Sequence, residues 1–232
     1  SICSRGGCNE VYIRWFDQGI FFNPWEILMD RELIAILRGV TPLEVVAIAE
    51  ELILSGITKI EVPLNSPNAY ESIESLANRF SSEAVIGAGT VLKKNEVSSV
   101  CNAGGKMIVS PNVNADVIIE TKKLKMRSYP GVFTASECFD ALDAGADGLK
   151  FFPASLLKEE NFKALSSVLP KNIISIAVGG IDEKKFISWL HVNISGFGLG
   201  SNLYKPGMLI EEVKLKAQQI VRSYDESIMD IV

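Results

Sequence analysis

From Leu33 onward the chain repeats one unit eight times: a short apolar run ending in Gly, Pro, Asn or Thr, an amphipathic stretch with helical spacing, and a glycine before the next run. The runs are LIAILRG from Leu33, KIEVPLN from Lys59, AVIGAGTV from Ala84, MIVSPN from Met107, RSYPG from Arg127, GLKFFPA from Gly148, IISIAVGG from Ile173 and GFGLGSN from Gly196. Their starts lie about 20 to 26 residues apart, the length of one strand, one helix and two short loops. The runs are continuous rather than alternating, as parallel strands covered by helices on one face and a packed interior on the other require. Eight such units in about 200 residues predict a single-domain (β/α)8 TIM barrel over residues 26–232. An open dinucleotide-binding sheet fits less well, because the first turn reads LRGVTP and carries no GxGxxG.

The stretches between the runs carry helix punctuation. TPLEVVAIAEELILSG offers Thr41 as N-cap, Pro42 at the first helical position, Glu44 at the third, and Gly56 as the stop. TASECFDALDAGA repeats the scheme with Thr134, Glu137 and Gly145. Residues 1–25 do not join the pattern. VYIRWF at 11 to 16 suits a short strand with no evident pairing partner, and Trp25 to Asp30 suits a helical turn after Asn23-Pro24, so the segment is expected to be an extension packing on the barrel end or on another subunit.

Charge and hydropathy exclude several function classes. A net charge of −5 leaves no basic excess for nucleic acid or an anionic membrane. No apolar run approaches the roughly 20 residues that span a bilayer, and SICSRGGCNEVYIRWF lacks a signal peptide's apolar segment, so a cytoplasmic protein is expected. Cys3, Cys8, Cys101 and Cys138 form neither a CxxC nor a Cys/His metal pattern and read as free thiols. His191 is the single histidine, in SWLHVNIS, and suits a surface or interface position. Histidine-centred catalysis and a multi-histidine metal site are thereby set aside. Chemistry on this chain falls to Lys, Glu, Arg and backbone groups.

In a barrel of this kind the reactive groups sit at the C-terminal strand ends. The polar residues there are Arg38, then Glu61 and Asn65, then Thr90, then Pro111 with Asn112, then Lys150, then Gly179 and Gly180, and finally Gly200 and Ser201. Lys150 interrupts the apolar GLKFFPAS, where burial of an ammonium costs several kcal/mol or more unless the proton is given up. A neutral lysine amine attacks carbonyls, which makes Lys150 a Schiff-base candidate; a strand-end lysine reaching solvent is the simpler alternative. Glu61 lies inside IEVPL, where desolvation raises a carboxyl towards the range of a working acid-base group, unless it serves a buried ion pair with Arg38 or Lys150. Arg38 and Thr90 suit a carboxylate or carbonyl oxygen, and a surface salt bridge would also account for Arg38. Glycines after the seventh and eighth runs let a phosphate reach backbone N–H groups.

The series EVPLNSP (61 to 67), IGAGTV (86 to 91), VSPN (109 to 112), PG (130 to 131), LKFFPAS (149 to 155), VGGI (178 to 181) and GLGS (198 to 201) resembles the motifs of the class I 2-keto-3-deoxy-6-phosphogluconate (KDPG/KHG) aldolase family, in order and at consistent spacing over residues 33 to about 210. The resemblance implies Lys150 as the Schiff-base lysine and Glu61 as the proton shuttle. It further implies Arg38, Thr90, Pro111, Phe152 and Val178 around the substrate and Gly179, Gly180, Gly200 and Ser201 around its phosphate. Asn65 and Val178, where the phosphogluconate branch usually has arginine and threonine, resemble the branch acting on 2-dehydro-3-deoxy-6-phosphogalactonate. A small-molecule substrate, no metal or organic cofactor and a homotrimer are implied in the same way. Activity on the phosphogluconate or hydroxyglutarate substrates of the same family is the alternative. A phosphate-binding barrel of the isomerase or synthase kind, and an inert sugar-phosphate binder on the same fold, stay open beside it.

Overall fold

A computed structural model describes residues 13–15, 20–22 and 31–231. The chain divides into two compact units, Ser1–Arg31 and Glu32–Val232. In the first, the strands Ile13–Trp15 and Ile20–Phe22 pair antiparallel, Ile13 opposite Phe22 and Trp15 opposite Ile20. VYIRWF therefore has a partner that the sequence reading did not identify; the helical turn expected at Trp25 to Asp30 lies outside the described residues.

The second unit is the barrel. Its strands are β1 (Leu33–Ile36), β2 (Lys59–Pro63), β3 (Val85–Gly89), β4 (Met107–Val109), β5 in two pieces (Arg127–Tyr129 and Gly131–Val132), β6 (Gly148–Phe151), β7 (Ile174–Val178) and β8 (Gly196–Leu199). All neighbours are parallel, and β8 returns to β1. The fifth run is the one that departs from a simple strand. Pro130 has no N–H to give a ladder, and it divides the strand so that one piece pairs with β4 and the other with β6. Closure survives the division: Ser110 N–H donates to Tyr129 O at 3.2 Å, Asp147 N–H to Ser128 O at 3.0 Å and Lys150 N–H to Pro130 O at 2.9 Å.

The helices are α1 (Pro42–Leu54), α2 (Ala69–Phe80), α3 (Lys94–Asn102), α4 (Ala115–Lys123), α5 (Ala135–Asp143), α6 (Ala154–Leu157), α7 (Glu159–Ser166), α8 (Phe186–Leu190) and α9 (Ile210–Met229). The predicted caps form. Thr41 N–H donates to Glu44 Oε1 at 3.0 Å; in the second box Glu137 N–H donates to Thr134 Oγ1 at 3.3 Å while Thr134 N–H donates to Glu137 Oε2 at 2.8 Å. α1 buries Val45, Ile48, Ala49 and Leu52, one face at the helical period. Such faces and the outward sides of the strands make one large apolar layer around the barrel, with Phe162 meeting Phe151 edge-to-face and Trp189 at a tilt within it. Each fully buried aliphatic side chain there contributes about 1.5–3 kcal/mol.

The interior of the barrel is a separate and much smaller cluster: Ile34, Ile36, Met107, Val109, Tyr129, Ile176 and Val178. Strand neighbours in register share a face, so pairing of Glu61 with Gly87, of Lys150 with Gly131 and of Ile176 with Gly196 puts these glycines on the inward side. Small residues opposite large or charged ones are what let Glu61 and Lys150 fit inside. His191 is exposed at the end of α8, its Nδ1 2.8 Å from Ile187 O. Cys101 and Cys138 are free thiols; Cys3 and Cys8 lie outside the described residues. No helix among the described residues is long and apolar enough to cross a membrane.

Candidate active site

The C-terminal strand ends enclose a cleft of about 350 Å3 lined by Arg38, Thr90, Pro111, Lys150, Phe152, Val178, Gly179, Gly180, Gly200 and Ser201. These are ten of the eleven residues that the family resemblance implies for the site; the strand-end residues Asn65 and Asn112 do not line it. The eleventh, Glu61, lies directly below, in a narrow apolar pocket that it shares with Lys150, Tyr129 and Ile176. A larger hollow of about 540 Å3 opens between the end of α1 and α9, but none of its ionisable residues is buried and it is remote from the strand ends.

Lys150 is 6% exposed and Glu61 1%. No ion pair within 4.0 Å joins Glu61 to Lys150 or to Arg38 among the described residues, so the simple buried ion pair does not account for either group. Burial pushes the Lys150 ammonium below its ordinary range; Arg38 adds to the effect and the Glu61 carboxylate opposes it. Burial likewise pushes Glu61 up to about 7, against the lowering influence of Lys150 and then Arg38. Glu61 Oε2 is buried with no hydrogen-bond partner among the described residues. The pair offers an amine whose charged form burial disfavours and a carboxyl that near pH 7 can give or take a proton.

Gly89 makes room for that carboxyl, since a Cβ there would come within 1.4 Å of Glu61 Oε2. The next residue, Thr90, has φ +56, a conformation that a β-branched side chain rarely adopts. The turn presents its hydroxyl to Arg38, whose Nη2 donates to Thr90 Oγ1 at 3.3 Å while Nη1 donates to Asn65 Oδ1 at 2.5 Å. Arg38 is thus aimed from two sides, rather than being held in a surface salt bridge. The amine of Lys150 lies 5.1 Å from the centre of the Phe152 ring. Gly179 also approaches that ring closely: a Cβ on it would stand 3.1 Å away.

Gly179 and Gly180 both have positive φ, +92 and +72, and a Cβ on Gly180 would collide with Ser155 at 2.6 Å. Only glycine suits the pair. No hydrogen bond within the loops uses the N–H groups of Gly180, Gly200 or Ser201. Asp182 and Asn202 also line this end of the cleft, and each has a buried side-chain atom, Oδ1 and Nδ2 respectively, without a protein partner. Neither was singled out from the sequence, where nothing local marks either residue as turned back into the cleft. Asn65 was recognised as a strand-end residue; its hold on Arg38 required the fold.

The sequence profile of the KDPG and KHG aldolase family matches residues 25–220. The chain is 45% identical over 197 residues to a probable 2-dehydro-3-deoxy-6-phosphogalactonate aldolase of Rhizobium meliloti (strain 1021), covering 85% of this chain and 93% of that protein. It is 41% identical over 196 residues to the 2-dehydro-3-deoxy-6-phosphogalactonate aldolase of Escherichia coli (strain K12), covering 84% and 96%. A solved structure described as native KDPGal superposes with a TM-score of 0.85 at 37% identity, covering 94% of this chain and the whole of the other. With the barrel, the motif order and these relatives in agreement, the chain belongs to the KDPG and KHG aldolase family.

Proposed function

We propose that this protein is a class I aldolase of the cytoplasm that cleaves 2-dehydro-3-deoxy-6-phosphogalactonate to pyruvate and glyceraldehyde 3-phosphate. The observation that carries the reading is a buried lysine and a buried glutamate sharing one narrow pocket below a cleft, without forming an ion pair. The names of its 41–45% identical relatives supply the substrate.

The chemistry follows from the two pKa directions. The neutral amine of Lys150 attacks the C2 carbonyl, and the carbinolamine loses water as Glu61 donates a proton, leaving a protonated imine. Breaking the C3–C4 bond sends its electron pair into that imine and gives an enamine, while the C4 hydroxyl loses its proton, through water, to Glu61. The freed C4 fragment is the aldehyde. Glu61 then returns a proton to C3, and one water hydrolyses the imine to pyruvate and Lys150. The carboxyl alternates between donor and acceptor, which a pKa of about 7 permits near neutrality. Arg38, held by Asn65 and Thr90, faces the carboxylate end, and the glycine turns after β7 and β8 face the phosphate.

Incubation with pyruvate and sodium borohydride, followed by intact-mass analysis and peptide mapping, tests the imine: a reduced pyruvyl adduct on the Lys150 peptide is expected, and its absence from folded protein would overturn the assignment. Cleavage of the two C4 epimers, compared side by side, tests the substrate; faster turnover of the phosphogluconate epimer would reassign it. The same reading makes the protein a homotrimer, checked by light scattering on a size-exclusion column.

A further inference from the structure

The phosphate end of the cleft has a charge problem. Of the residues lining it, Gly179, Gly180, Asp182, Gly200, Ser201 and Asn202, the one charged side chain is the carboxylate of Asp182. The cleft's own cations are engaged elsewhere: Arg38 donates to Asn65 and Thr90, and the Lys150 amine lies 5.1 Å from the centre of the Phe152 ring. A phosphate monoester carries about −1.5 to −2 charge at pH 7. Backbone N–H dipoles alone would have to hold that charge beside a carboxylate of the same sign.

A cation is nonetheless at hand. Lys185, in the single turn of 3-10 helix Glu183–Lys185, folds back so that its Nζ donates to Gly180 O at 3.3 Å, while its backbone N–H donates to Asp182 O at 3.0 Å. The two bonds wrap the turn around Asp182 and bring the ammonium against the carbonyl of Gly180, a residue of the cleft wall. The side chain is exposed and long, and the carbonyl it rests on belongs to Gly180, which itself lines the cleft.

We infer that Lys185 is the counter-charge for the substrate's phosphate: it rests on the Gly180 carbonyl and transfers to the phosphate on binding, offsetting Asp182. This rests on the reading of the glycine end as a phosphate site.

The test compares KM and kcat of wild type, Lys185→Met and Lys185→Arg on 2-dehydro-3-deoxy-6-phosphogalactonate and on the same acid without phosphate. Lys185→Met is expected to raise KM for the phosphorylated acid about tenfold, equivalent to about 1.4 kcal/mol, with kcat little changed. The unphosphorylated acid should show no such rise, and Lys185→Arg should recover most of the loss. The inhibition constant of inorganic phosphate should rise in parallel in the Met variant. If wild type prefers the phosphorylated acid and Lys185→Met leaves its KM in place, or if Arg is as impaired as Met, the role of Lys185 is overturned and the phosphate reading stands. If wild type handles both acids alike, the phosphate reading itself falls, and Lys185 with it.

Discussion

A Cβ placed on Gly89 would stand 1.4 Å from Oε2 of Glu61. The glycine of IGAGT is therefore a space reserved for the carboxyl of the neighbouring strand. Gly89→Ala must displace Glu61, and steady-state turnover should fall by about 10²–10⁴, the usual share of a general acid-base group. Borohydride trapping of pyruvate on Lys150 should continue at a reduced rate, because Lys150 itself is intact while dehydration of the carbinolamine loses its proton donor. Unchanged kcat in the alanine variant would remove Glu61 from the proton transfers.

Glu61 should also weaken the fold at alkaline pH. Its carboxyl holds a proton up to about 7 in the folded protein against 4.5 for an ordinary one. Below about pH 4.5 both states are protonated and nothing is lost; as pH rises through about 7 the folded state loses stability, by about 3 kcal/mol at about 1.36 kcal/mol per unit. Glu61→Gln cannot ionise. Its Tm should exceed the wild type's by a margin that grows from acid to mildly alkaline pH, and a margin independent of pH would contradict the assignment.

Lys150 trades stability for reactivity in the opposite sense. Burial lowers its pKa, so the protonated form is disfavoured in the folded chain and the strain is relieved as pH rises towards the ordinary lysine value of 10.5. Lys150→Met should abolish turnover and the borohydride adduct while raising Tm at neutral pH. A lower Tm in that variant would mean that the ammonium is well accommodated.

Asn65 is expected to act through Arg38. Loss of the 2.5 Å bond in Asn65→Ala leaves the guanidinium held by Thr90 alone, and KM should rise about three- to tenfold, the net worth of one typical hydrogen bond at an exposed site, with kcat within about twofold. Asn65→Asp keeps the acceptor and should stay near wild type. Equal impairment of both variants would indicate a role other than holding Arg38.

Much of the barrel was legible because burial on both faces leaves a continuous apolar run, and a run of that kind needs no partner to be recognised. Helix ends were legible for a similar reason: Thr41 with Glu44 and Thr134 with Glu137 are local devices, complete within four residues. Lys150 and Glu61 stood out as charges where an apolar residue belongs. What the letters hid depends on register. Pro130 reads as a strand end, but only pairing with β4 on one side and β6 on the other shows a strand divided and still closed. Thr90 gives no sign that its backbone is left-handed. The approach of Gly89 to Glu61, the hold of Asn65 on Arg38 and the return of Lys185 to Gly180 each join residues whose meeting is fixed by neighbouring strands and turns.

The two apolar clusters give the molecule a division of labour that bears on how it can change over generations. The interior is sparse, with glycines opposite its charges, whereas the bulk of the hydrophobic mass lies outside the strands. Phe162→Ala, in the outer layer between Phe151 and Trp189, would cost about 3–5 kcal/mol, a large part of a domain's whole margin, and would act by depleting folded protein. Exchanges at Val178 or Ile36 touch the cleft wall and little of that mass. A lineage carrying this barrel can therefore explore new keto acids from within, drawing on a reserve of stability that the exploration itself does not consume.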